Sequence, residues 1–190
     1  LFAKTFSNGT TCIQRNSSLI QRVYFPREVF LFSKSGFNFV QFCLSLLVII
    51  PLLIHYQLSP NRFLILLPIS VVMILMLATG LAFFTCILQT KARDVEYVVT
   101  TGLRISFYLS PVFYPLDMIT GGRIPENFAE AYLIVNPMAT YITMIRSAFT
   151  GTPLEIPTAN LVITFTSTIL IFWVGSIYFI RKERKAVKFI

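Results

Sequence analysis

An all-α integral membrane fold follows from three features of the chain: its apolar composition, four apolar runs of membrane length, and the sidedness of its basic residues. Of 190 residues, 55% are hydrophobic and 13% charged, with a mean hydropathy of +0.73. Soluble domains carry roughly 25% charged residues. A formal net charge of +8 fits nucleic acid or membrane flanks equally, so the positions of the basic residues must decide.

A hydrocarbon core of about 30 Å takes about 20 helical residues to cross. Four runs qualify, at 31–57, 63–89, 97–116 and 158–180. Pro51, Pro68 and Pro111 fall inside them, and each removes a backbone hydrogen bond and favours a kink. Between the third and fourth runs, residues 121–151 are long enough for a further span, but Asn136 and Pro137 divide them. Proline disfavours helix at the residue before it and suits the first turn of a new one, so two short re-entrant or interfacial helices are expected on the outer face.

Arginine and lysine collect on the cytoplasmic side of membrane proteins. Four spans put the basic residues from Lys4 to Lys34, Lys91, Arg93, Arg104 and the tail from Arg181 to Lys188 on that side, with Arg62, Arg123 and Arg146 opposite. A fifth span would move the "RKERKAVK" tail outside. The expected topology starts and ends in the cytoplasm, and the expected non-protein partner is membrane lipid, not nucleic acid.

Ahead of the first run, Leu19, Ile20, Val23 and Tyr24 share helical i, i+3, i+4 spacing, which reads as a short amphipathic helix on the cytoplasmic surface. Pro26 ends it and opens the next helix with Arg27 and Glu28, giving an elbow at Tyr24, Phe25, Pro26, Arg27 and Glu28. The residues alone leave two roles open: a surface anchor, or a docking knob, since an aromatic pair flanked by charge has the composition of an interface hot spot.

Four stretches, in order, carry a resemblance. "SNGTTCIQRNSSLIQRVYFPREVF" at 7–30, "ARDVEYV" at 92–98, "FYLSPVFYP" at 107–115 and "VNPMATYITMIRSAF" at 135–149 together resemble the membrane permeases of type-2 ABC exporters that carry polysaccharides, O-antigen chains or teichoic acids. The resemblance implies one permease domain over 1–190, lacking its N-terminal third, with six spans in the full protein. It implies that residues 13–28, with Arg93 and Asp94, couple to a separate ATP-binding cassette subunit, and that residues 121–151 are the family's re-entrant pair. It further implies a homodimer in the bacterial cytoplasmic membrane. ATP and magnesium belong to the partner, since no G-x-x-x-x-G-K-[ST] phosphate loop occurs here.

The expected cargo is a lipid-linked glycan polymer. Arg104 lies within the third run, where it either snorkels to the cytoplasmic edge, pairs with Asp94 or Glu96, or serves the pathway. Phe107, Tyr108, Phe113 and Tyr114 flank Pro111, and Tyr178 shares a face of the last run with Thr164, Thr168 and Gly175. Such aromatics either pack or present rings to the apolar faces of sugars. Cys12, Cys43 and Cys86 suggest neither a disulfide framework nor a metal site, and His55 is expected to be structural or interfacial. A drug or small-molecule exporter of the same architecture is the rival function. A secondary transporter or channel is a more distant one, because Glu28, Asp94 and Glu96 all sit at the membrane edge instead of along an ion path.

Overall fold

The computed structural model describes residues 1–22, 26–55, 62–113, 126–154 and 156–186. Tyr24, Phe25 and Tyr114 lie outside the described residues. The chain begins with three short helices in series, α1 (Phe2–Thr10), α2 (Cys12–Arg15) and α3 (Ser17–Arg22). Asn16 separates the last two, its side-chain amide donating back to the Cys12 carbonyl at 2.7 Å. That local bond competes with the helical ladder and interrupts it.

Helix α4 (Glu28–Leu47) is followed by α5 (Ile49–His55). The break falls at Val48 because Pro51 has no N–H to give the Leu47 carbonyl, and its ring crowds that same carbonyl. A 3₁₀ turn (Arg62–Ile65) leads into α6 (Leu66–Lys91). Pro68 therefore stands in the first turn of α6, where an amide hydrogen would have no intrahelical partner, and it does not interrupt the helix interior. Helix α7 (Val95–Leu109) stops at Ser110, which is extended at φ −83°, ψ 148° as the residue before Pro111. Then come α8 (Glu126–Val135), α9 (Pro137–Thr150) and α10 (Thr158–Ala186). Asn136 makes the expected break between α8 and α9, with Pro137 opening the new helix, and left-handed Gly151 (φ 73°) closes it.

Among the described residues three helices are long and apolar enough to cross a membrane, Glu28–Pro51, Arg62–Lys91 and Thr158–Glu183. The expected span at 97–116 departs from this. Its helix has 15 residues, about 22 Å by rise, because the proline that was expected to kink the segment ends it. The amphipathic surface helix expected from Ile13 also differs. Its beginning is buried protein, since Cys12 and Ile13 pack with Leu31, Phe83, Cys86, Ile87 and Phe179, while Leu19 is half-exposed. Helix α1 runs directly into this segment and carries its apolar positions onto α6.

Helix α6 is the hub. Gly9 meets Ala82, Thr10 shares a hydrogen bond with Thr85 at 2.8 Å and Gln14 with Gln89 at 2.9 Å, so α1 and α2 run parallel to α6. Phe83 packs on Phe172 and Phe179, and Phe84 on Tyr178, so α10 is parallel too. Helix α4 is antiparallel, its Asn38 accepting from Asn8 and its Gln41 from Lys4. The α6–α10 contact is backbone on backbone: a Cβ at Gly175 would lie 2.5 Å from the Gly80 carbonyl oxygen. Small residues permit this approach, which dispersion and close packing reward inside a bilayer. These directions gather Arg15, Arg27, Lys91, Arg93, Arg181 and Lys182 at one basic end of the bundle.

Candidate functional site

Three connected features run along α7 from the basic end outward. At the base, Gln89 is buried in the last turn of α6 and bonds three ways. Its amide nitrogen donates to Gln14 Oε1 at 2.9 Å and to the Arg93 carbonyl at 3.0 Å, and its oxygen accepts from the Glu96 backbone N–H at 2.7 Å. The expected coupling segment and the Arg93–Asp94 loop are thereby tied together, through a residue that no motif singles out. The only sequence signal was a polar amide in the final turn of an apolar span. Arg15 adds an ion pair to Glu96 at 3.1 Å, with the two side chains 65% and 38% exposed. Such a pair contributes about 0.2–1 kcal/mol, whereas each unsatisfied buried polar group costs about 1–3 kcal/mol. Gln89 is thus the stronger tie.

Arg93 and Asp94 are themselves exposed, as is Pro26, while Arg27 and Glu28 are half-buried. Cys12 is buried nearby, and burial pushes its thiol up to about 11 against the opposing effects of Lys34 and of an Asn16 hydrogen bond. It stays protonated at neutral pH and unreactive.

Midway along α7 an open groove of about 620 Å³ runs beside its contact with α1. Lys4, Ser7, Thr100, Arg104, Phe107 and Tyr108 line it, bringing three of the sequence-derived pathway residues together and adding a second cation. Glu96 is engaged by Arg15, and Arg104 makes no hydrogen bond or ion pair among the described residues. Beyond the groove the Phe107 ring sits edge-on to Tyr108 at 5.7 Å and to Phe113 at 5.4 Å between centroids. Tyr178 is placed elsewhere, half-buried against Phe84 with their rings 5.3 Å apart. Thr164 and Thr168 of the same face are also packed, bonded to Thr140 at 3.4 Å and to the Tyr141 hydroxyl at 2.6 Å.

At its far end α7 is capped by the α8–α9 pair. The last carbonyls of a helix lack intrahelical donors. Tyr132 donates to the Leu109 carbonyl at 2.8 Å, the Asn136 amide to Ser110 Oγ at 3.1 Å, and Arg146 to the Pro111 carbonyl at 2.8 Å. The Asn136–Pro137 break is therefore also the point where this pair grips α7.

The ABC-2 type transporter family profile matches residues 16–150. Among curated relatives, the O-antigen export system permease protein RfbA of Myxococcus xanthus is 26% identical over 185 residues, 97% of this chain and 70% of that protein. Two Klebsiella pneumoniae proteins of the same name are 29% and 27% identical over 149 residues, 78% of this chain. The chain spans only 55% of the length of those two. A profile that covers most of the chain, on a bundle of long apolar helices, places it: this is a multi-pass membrane protein of the ABC-2 type transporter family.

Proposed function

We propose that the chain is the membrane subunit of an ATP-driven exporter that moves a lipid-linked polysaccharide across the bacterial inner membrane. Two copies work with two ATP-binding cassette subunits, which bind ATP and magnesium, and the C-terminus faces the cytoplasm. The relatives' naming as O-antigen export permeases supports the polysaccharide cargo. The observation that carries the reading is the Gln14–Gln89–Arg93–Glu96 knot. Residues 13–28 receive the motion of the ATPase at the elbow of Tyr24 to Glu28, and the knot hands it to the base of α7. Helix α7 carries one wall of the groove and ends in the grip of α8 and α9, which act as the re-entrant pair on the outer face. A force at the base is thus felt at both the groove and the outer end.

The test is a disulfide cross-link in the assembled complex. Phe25→Cys, in a subunit that still exports, should cross-link to a cysteine placed on the ATPase surface and change yield between nucleotide-free and ATP-bound states. An active complex that gives no cross-link from any position of the elbow sinks the proposal.

A further inference from the structure

We infer that the groove between α1 and α7 is the docking site for the phosphate that joins the exported glycan to its lipid, held by Arg104 and Lys4. The inference rests on the exporter reading and adds to it a specific ligand group and a residue, Lys4, from outside the matched family segment at 16–150.

Depth along the bundle brings the two cations together. Arg15 and Glu96 pair at the basic end. Lys4 lies eleven residues before Arg15 and Arg104 eight after Glu96, about 16 Å and about 12 Å along antiparallel axes. Two positive charges thus line one groove at similar depth, with no Asp or Glu among its lining residues. Lys4 gives one hydrogen bond to Gln41 Oε1 on α4 at 2.6 Å, which orients its ammonium. An ammonium has three donors, so two remain. Arg104 bonds to nothing among the described residues, and a guanidinium matches phosphate oxygens two at a time.

The rest of the lining suits the two ends of a phosphate-linked glycolipid. Leu103 and Ala3 are apolar, suiting a lipid chain. Phe107 and Tyr108 present rings next to Arg104, where the first sugar beyond the phosphate would lay its C–H face. Charge complementarity selects an anion, and rings beside the cations select one that carries sugar. An anionic phospholipid satisfies only the first condition.

The experiment uses the full-length subunit with its ATPase in nanodiscs, and native mass spectrometry with two competing probes: a short-chain polyprenyl diphosphate bearing one sugar, and phosphatidylglycerol. The wild type should hold the sugar-bearing probe at least about tenfold more tightly, and Arg104→Gln and Lys4→Gln should each weaken it about tenfold, with Arg104→Lys keeping most of it. Equal retention of phosphatidylglycerol overturns the inference, as does unchanged binding in both glutamine variants. Should either variant lose its ATPase, the wild type is compared at low and high salt, and binding indifferent to salt overturns the inference equally. The exporter reading fails separately, if the wild-type subunit retains no ATPase at all.

Discussion

Gly175 shows what a single atom decides in this bundle. A methyl group there would sit 2.5 Å from the Gly80 carbonyl oxygen and 3.1 Å from the Phe84 ring, so α6 and α10 would have to part. Gly175→Ala is expected to destabilise by about 1–3 kcal/mol, the cost of overpacking a close contact. Gly36 on α4 has nothing within 4 Å of its would-be Cβ, and Gly36→Ala should gain up to about 1 kcal/mol of helix propensity. Thermal unfolding of the two purified variants should therefore move in opposite directions, and a shared direction would show that the α6–α10 contact does not limit stability. The sequence made part of this legible. Gly175 stood on a small-residue face of the last run, but its partner, nearly a hundred residues away, carries no mark in the chain. Arg104 was equally half-legible: its position within an apolar run flagged it, but that Glu96 is held by Arg15 and not by Arg104 needed the fold.

Whole elements were read well wherever apolar length or a proline acted alone, and less well where a second segment completed the effect. Pro51 separates α4 from α5 and Pro137 opens α9, both local consequences of a missing N–H. Pro111 ends α7 instead of bending it, and the end is held from outside: Tyr132 donates to the Leu109 carbonyl, Asn136 to the Ser110 hydroxyl and Arg146 to the Pro111 carbonyl. Those donors lie 23 to 35 residues along the chain, beyond any local rule. They also make the cap testable. Tyr132→Phe should cost about 1 kcal/mol, a single neutral hydrogen bond, and Arg146→Ala about 1.5–3 kcal/mol, since its donor is charged. Hydrogen exchange should quicken at 109–113 in both variants, more in Arg146→Ala, while the protection of α6 stays unchanged. Equal protection of 109–113 in wild type and variants would mean that the hairpin does not hold the end of α7.

At the scale of the molecule, three parallel elements (α1 with α2, α6 and α10) form a slab glued by Gly9, Gly80, Gly175 and the Phe83 cluster, and α7 stands beside it, touching α1 and α6 and hydrogen-bonded at its two ends. Helix α7 buries a single side chain, Val99, among its fifteen residues, whereas α6 buries half of its length. An element with little buried contact moves at low cost, and one that is held at both ends transmits that motion. Gln89 is the base attachment, and on the exporter reading its removal should separate binding of an ATPase from use of the ATP. Gln89→Leu keeps the volume of the side chain but strands the Gln14 amide oxygen, the Arg93 carbonyl and the Glu96 N–H. Three lost partners imply a cost of a few kcal/mol at this junction, concentrated on the link and not on the slab. The expected variant still assembles with its ATPase and still hydrolyses ATP, while glycan export per ATP falls at least about tenfold. Exchanging Arg15 and Glu96 should matter far less, since the pair is exposed and contributes about 0.2–1 kcal/mol. Export and ATP turnover measured side by side in proteoliposomes separate the cases. If Gln89→Leu lowers both in proportion, the knot holds the fold together without passing motion to α7, and the route from ATPase to groove must run through the elbow and α4 instead.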